Sequence, residues 1–314
     1  MAFPTSSLDI KPTSASERKA AADQKKLLQQ QSIFKHYPIR NIGPTVMGGR
    51  IVDIEAHPDQ ANQYYVAYAS GGLYKTTNNG LSFTSIFDNQ DRLTIGDIAL
   101  SPANKDILWV GTGENNSSRS SYAGYGVYKS SDGGKTWSHQ GLSNTQHIGR
   151  IIAHPRDPDI AWVASIGALY SKNPERGVFK TKDGGKTWEK TLFVNDSTGV
   201  IDLIINPNNP DQLWAAAWER HRYAWEFKEN GPGSGLYMSE DGGESWKEMN
   251  QGLPPAADRG RIGLDICREQ PNTLYLIMDN QGEVKEKKED TEKLKYSFAD
   301  FQKMSVQQFL AIND

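Results

Sequence analysis

The chain has 314 residues, a net charge of −3 and 37% hydrophobic content, the profile of a globular protein long enough to bury a substantial core. Lysine and arginine are scattered, with no basic stripe to follow a phosphate backbone, so nucleic acid is not expected as a partner. No stretch approaches the roughly 20 apolar residues of a membrane helix, and a single cysteine, Cys267, excludes an intrachain disulfide.

Residues 1–40 form a polar tail rich in Ala, Gln, Ser and Lys. Its composition predicts a short helix near Ala20–Gln31, followed by an extended Tyr37-Pro-Ile-Arg40 segment. It lacks the hydrophobic core of a secretory signal, which leaves two addresses open: a cytoplasmic protein, or a processed or re-cloned form of an exported one. Asn-x-Ser sequons at Asn115, Asn116 and Asn195 matter only in a glycosylating secretory pathway.

Residues 41–280 are repetitive. Four copies of one eight-residue motif start at Thr76, Ser130, Thr181 and Ser239, and the last three read Ser/Thr-x-Asp-Gly-Gly-x-Thr/Ser-Trp. The starts are 54, 51 and 58 residues apart, the period of a repeating supersecondary unit. Each copy follows a short apolar run with strand composition, such as Gly126-Val-Tyr-Lys. The motif is expected to be a hairpin turn whose Asp (Asn78 in the first copy) accepts N–H groups two residues on and whose Gly permits φ > 0. The closing Trp or Phe opens the next strand and joins neighbouring sheets. One Asp per turn with Lys or Glu beside it offers no second carboxylate, so no metal is expected there.

A second register lies upstream. Seven residues after Pro58, Pro102, Pro155 and Pro207 stand Tyr65, Trp109, Trp162 and Trp214, and five residues before them stand Asp53, Asp97, Arg150 and Asp202. Each unit is thus strand, Pro turn, strand, loop, strand, polar turn, strand. Four-stranded antiparallel units in series are the blades of a β-propeller, an all-β fold. A fifth unit begins with Gly260-Arg-Ile-Gly-Leu-Asp-Ile and Thr273-Leu-Tyr-Leu-Ile-Met, then gives way to the charged run Glu283–Lys295. Residues 281–314 are expected to be a charged and helical insertion or extension, with helical spacing from Phe298. About four and a half blades do not close a ring, so the chain is expected to be a fragment of a longer propeller.

These residues resemble the Asp-box (bacterial neuraminidase repeat) propellers, and over residues 41–280 most of all the sortilin amino-terminal propeller and bacterial sortilin-like repeat proteins. The resemblance implies an exported protein. The same box occurs in sialidases, xyloglucanases, photosystem assembly factors and sorting receptors, so it identifies a fold and not an activity.

Function is expected on the loops. The segments between second and third strands are longest in units two to four, about Thr112–Tyr125, Ser165–Arg176 and Trp218–Ser234, and all emerge on the face where propellers bind ligands. Glu114, Asn115, Arg119 and Tyr122, with Trp218, Arg220, His221 and Trp225, combine aromatic planes with charge in a way that suits glycans and extended peptides alike. Around the channel, Asp53, Asp97, Arg150 and Asp202 are expected at equivalent positions, with Arg50 and Arg261 nearby. Polar channel linings need partners whatever the function.

Gly48-Gly-Arg-Ile-Val-Asp53 is similar to the first-blade segment of the xyloglucanases, which implies Asp53 as catalytic base, paired with a second carboxylate about 6.5–9.5 Å away. A sialidase would need three arginines, for which Arg50, Arg150 and Arg261 are the available set. The six histidines are dispersed, and no phosphate-binding or nucleophile-elbow motif is present. The sequence thus points to a non-catalytic propeller that binds an extracellular peptide, protein or glycan without a cofactor. The alternatives are a glycoside hydrolase using Asp53 and a protein-assembly factor.

Overall fold

The computed structural model describes residues 11–37, 49–57, 59–118, 121–223, 225–282, 296 and 298–312. The chain divides into two compact units, residues 1–281 and 282–314.

The first unit opens with a helix, α1 (Ala15–Gln31), which starts five residues before the expected point. The reason is a capping box: Ser14 Oγ accepts the Glu17 N–H while the Glu17 carboxylate accepts the Ser14 N–H at 3.0 Å. The helix is not free, because Arg18 is buried and its two terminal nitrogens donate to the carbonyls of Gly124 and Ser143 in the second repeat.

Four four-stranded antiparallel sheets follow. The first is β1 (Ile51–Ala56), β2 (Tyr64–Tyr68), β3 (Gly72–Thr76) and β4 (Thr84–Ser85). The second is β5 (Ile95–Leu100), β6 (Leu108–Thr112), β7 (Val127–Ser130) and β8 (Ser138–His139), and the third is β9 (Ile148–Ala153), β10 (Ala161–Ser165), β11 (Gly177–Thr181) and β12 (Glu189–Leu192). In the fourth, β13 (Thr198–Ile205) and β14 (Leu213–Glu219) are separated from their partners by a small hairpin, β15 (His221–Arg222) and β16 (Phe227–Lys228). The sheet then resumes with β17 (Gly235–Ser239) and β18 (Lys247–Glu248). The fifth repeat supplies two strands, β19 (Arg259–Ile266) and β20 (Leu274–Asn280). This is a partial all-β propeller.

The cores lie between sheets. Tyr65, Leu73, Phe87, Ile98 and Tyr128 join the first two blades; Trp109, Ile151 and Phe179 the next pair; Trp162, Val200 and Leu213 the third and fourth. The aromatic residue seven places after each proline is buried at all four positions, and burying a ring of that size is a large part of each interface. Lysines from the third strands cover three of these rings: Lys75, Lys129 and Lys180 lie 5.2, 4.6 and 5.5 Å from the Tyr65, Trp109 and Trp162 centroids. Lys75 and Lys129 also donate to the carbonyls of Gly133 and Gly184, each in the box of the following blade.

The box works by a division of labour that the sequence reading only half anticipated. Asp132 Oδ1 accepts the N–H groups of Lys135 and Thr136, three and four residues on, and the N–H groups of Asp132 and Gly134 go instead to Ser130 Oγ. A Ser or Thr hydroxyl two residues before the Asp is nearer the start of the loop, so it reaches those earlier donors. Gly133 and Gly134 both have positive φ, at 70° and 89°. Thr136 and Thr187 donate their hydroxyl protons to Asp132 and Asp183 and hold both carboxyls down at about 2. The closing Trp then reaches back one blade: Trp137 Nε1 donates to Ile86 O at 2.7 Å and Trp188 Nε1 to Gln140 O at 2.6 Å.

In the second unit the expected helical stretch forms two short pieces, α2 (Phe298–Lys303) and α3 (Val306–Leu310). The break falls at Ser305, which caps α3 by accepting the Gln308 N–H while Gln308 bonds back. The charged run 283–295 lies outside the described residues.

Candidate functional site

Two regions collect the residues singled out from the sequence: the ring of innermost strands, and the loop layer at one end of the blades.

In the ring, β1, β5, β9, β13 and β19 lie side by side. In β1, β5 and β13 the ladder register shifts just before the aspartate, and a bulge there re-aims the side chain towards the next blade. Asp53 Oδ2 accepts the Ile98 N–H at 3.2 Å, Asp97 Oδ2 the Ile151 N–H at 2.7 Å, and Asp202 Oδ2 the Leu264 N–H at 2.9 Å. Each carboxylate thus ties its blade to the following innermost strand. The third blade carries Arg150 instead, which bridges its two neighbours: Nε donates to Asp202 Oδ1 at 2.9 Å and Nη1 to Asp97 Oδ1 at 3.2 Å. Burial pushes Asp97 up, opposed by the charge of Arg150, and the Arg150 guanidinium is raised in return, chiefly by Asp97.

Asp53 has its second oxygen occupied as well, by the Ile54 N–H at 2.8 Å. Burial raises its carboxyl, against the pull of Arg150 and of those two donors. Arg50 does not join the ring but pairs with Glu114, and Arg261 donates to Asn116 Oδ1 at 3.0 Å. Arg50, Arg150 and Arg261 are thus each engaged by protein acceptors: Glu114 for the first, Asp97 and Asp202 for the second, and Asn116 for the third.

One carboxylate beside the ring gave no signal in the sequence. Glu55, two residues after Asp53 on β1, lines a cavity of about 460 Å³ together with Ile152, Ile205, Asp265 and Arg268. Burial, then the charge of Asp53, pushes its carboxyl up to about 7.

The loop layer separates the predicted contact residues sharply. Glu114, Trp218 and Arg220 are buried, at 0%, 2% and 1% exposure, so they form the layer's interior and do not offer the exposed contacts expected of them. The physical reason is that the three long loops pack on one another. Trp218 Nε1 is tied to Glu229 O, Arg222 Nη1 reaches Ser117 O, and the Arg222 N–H reaches Leu169 O. Asn115 is half-buried and donates to Gly96 O at 3.0 Å. Beneath them His147, absent from the sequence reading, is fully buried with Nδ1–H donating to Glu114 O at 2.8 Å, and burial pushes its ring down to about 3.

Exposed surface remains at three of the predicted positions. Tyr122 is 60% exposed and Trp225 74%. Trp225 stands on the turn of the β15–β16 hairpin and stacks on Tyr223, with centroids 5.3 Å apart and planes 9° from parallel. His221 is half-buried, with its centroid 4.9 Å from the same Tyr223 ring and Nε2 3.5 Å from Glu226. Arg119 lies outside the described residues. Among the described residues no group of three or more His, Cys, Asp or Glu has the proximity to hold a metal ion, and no helix is long and apolar enough to cross a membrane.

Comparison with known proteins identifies the fold. The family model described as Sortilin, neurotensin receptor 3 (Sortilin-Vps10) matches residues 125–311. A probable oligoxyloglucan-reducing end-specific xyloglucanase of Neosartorya fischeri is 23% identical over 222 residues, 64% of this chain and 24% of that protein. The corresponding enzyme of Emericella nidulans is 22% identical over the same span. The chain therefore spans about a quarter of the length of the curated relatives it matches. Among solved structures, an ancestral GH74 enzyme superposes with a TM-score of 0.56 at 17% identity, over 74% of this chain and 29% of that one. The GH74 xyloglucanase of Xanthomonas campestris gives 0.53 at 18%, over 75% and 35%. At such identities the likeness is one of fold.

Proposed function

The chain belongs to the Sortilin-Vps10 family, and on that premise we propose that it is an extracellular recognition propeller that binds a peptide or glycan on its loop face without turning it over. The observation that supports this most directly is the commitment of Asp53. Both of its oxygens accept backbone N–H groups, and its bond across to Ile98 repeats at Asp97 and Asp202. A carboxylate repeated around the ring for one architectural purpose is engaged before any substrate arrives. A general base needs a lone pair directed at the water or hydroxyl it activates.

The loop face offers what recognition needs. Trp225 and Tyr223 form an exposed stacked pair on a hairpin anchored by the buried Trp218, flanked by the imidazole of His221 and the carboxylate of Glu226. Flat aromatic surface beside a few hydrogen-bonding groups suits sugar rings and extended peptides. The second reading, a glycoside hydrolase, rests on the xyloglucanase relatives and on Asp53 itself.

A glycan and peptide array, read for bound ligand and released product in the same wells, separates the two. Binding without product, reduced at least tenfold by Trp225→Ala, is the expected result. Product release that disappears in Asp53→Asn would overturn the recognition reading.

A further inference from the structure

Arg220 lies between β14 and the β15–β16 hairpin with 1% of its surface exposed. A guanidinium carries five N–H donors and keeps its charge at any ordinary pH. Here Nε, Nη1 and Nη2 are all shielded from solvent, and none reaches an acceptor among the described residues. The group rests against the Trp218 ring at 5.3 Å, but a cation–π contact recovers little of what burying an unpaired cation costs.

The surroundings make the imbalance larger. The charged groups that act on Arg220 are Arg176 and Arg261, both positive. Arg176 is 1% exposed; its terminal nitrogens donate to the carbonyls of Ile166, Ala168 and Ser171, and its Nε has no partner among the described residues. Arg261 also lies against Trp218, at 5.6 Å, and spends Nη1 on Asn116. His147, whose ring feels the charge of Arg220, is held neutral. Glu114, whose backbone carbonyl takes His147, gives Oε1 to Arg50 and Asn116, and its other oxygen is buried without a partner among the described residues. Asp196 acts on Arg176 and Asp202 on Arg261, whereas no carboxylate among the described residues acts on Arg220; water could satisfy its donors but could not balance its buried charge.

We propose that Arg220 holds a small monovalent anion, a halide or an oxyanion the size of formate, sealed beneath the loop face and bounded by Trp218, Arg176 and Arg261. The anion takes the fork of donors that no side chain or carbonyl among the described residues takes and balances the charge of Arg220 beneath the exposed hairpin. It is a built-in counter-ion, separate from the surface ligand of the loop face, and burial excludes anything larger.

The protein is prepared with gluconate, too large to enter, as its counter-ion. Thermal unfolding is then followed as chloride, bromide or formate replaces gluconate at constant ionic strength, for the wild type, Arg220→Met and Arg220→Gln. The expected result is a saturable rise in midpoint of about 5 °C for the wild type that is absent in both variants. Crystals grown in bromide should show one anomalous peak against the Arg220 guanidinium, a measurement that decides the matter even where a variant fails to fold. A midpoint indifferent to the anion, an equal rise in the variants, or neutral solvent at Arg220 in the bromide crystals would overturn the proposal.

Discussion

Asp97 of the second blade accepts the backbone N–H of Ile151 in the third at 2.7 Å, and its other oxygen takes Arg150 Nη1 at 3.2 Å. A buried carboxylate is thus matched by one main-chain donor and one cation, both from the neighbouring sheet. Removing either partner of such a set strands the other in a low-dielectric setting. Asp97→Ala should cost about 3–5 kcal/mol in denaturant unfolding, and Asp97→Asn, which keeps an acceptor for Ile151, distinctly less. Equal losses for the two would mean that the inter-blade hydrogen bond contributes nothing beyond the charge.

Trp188 lets the hydrogen bond and the packing of a box tryptophan be separated. Its Nε1 donates to Gln140 O at 2.6 Å while its ring meets Trp109 edge-on at 6.1 Å. Trp188→Phe should lose about 1 kcal/mol, and Trp188→Ala about 3 kcal/mol or more. Chemical denaturation of the two variants checks the order, and a neutral Trp188→Phe would show that the bond to the preceding blade is dispensable.

His147 makes acid unfolding steeper. Its folded constant is depressed to about 3, against an unfolded value near 6.5. The unfolded chain therefore takes up a proton first as the pH drops. Stability from this group is fully present above pH 6.5 and is lost as the pH falls from 6.5 towards 3, by about 1.4 kcal/mol per unit. His147→Gln should flatten that part of the stability profile, whatever its effect at pH 8.

Glu55 acts in the opposite direction. Its folded constant is raised to about 7 from 4.5, so the folded state holds the proton longer. Its favourable contribution is complete below pH 4.5 and is lost as the pH rises from 4.5 through 7. Glu55→Gln should gain on the order of 1–2 kcal/mol relative to wild type at pH 8 and nothing at pH 4. Titration of unfolding midpoints across that window gives the answer, and a gain that does not change with pH would place Glu55 in contact with solvent.

Asp53→Asn tests whether the ring has any chemistry. With both oxygens bonded to main-chain donors, the substitution should lower stability by about 1–2 kcal/mol and leave ligand affinity on the loop face within twofold of wild type. Xyloglucan oligosaccharides should be left intact by both proteins in an assay of reducing ends.

The blade series was legible because its determinants are local and repeated. Gly-Gly after Ser130-Ser-Asp permits one turn geometry, and the aromatic residue at a fixed distance after each proline alternates onto a buried strand face. The contact residues were much less so. Glu114, Trp218 and Arg220 have the composition of a binding loop, yet they are interior, because loops from three blades cover one another and nothing in a loop's own sequence records its neighbours. Glu55 lies on β1, whose pattern says only that it is β, and His147 stands just before β9; the shifted titration of both comes first from burial, which arises only once the blades are assembled.

The sequence by itself determined the four-stranded unit and its repetition, since these follow from backbone conformational limits and side-chain periodicity within a few residues. Only the tertiary structure decided which charged groups are paired. Arg150 finds Asp97 and Asp202 while Arg220 finds no acceptor among the described residues, because burial and distance between groups 50 or more residues apart arise only when the blades are set side by side.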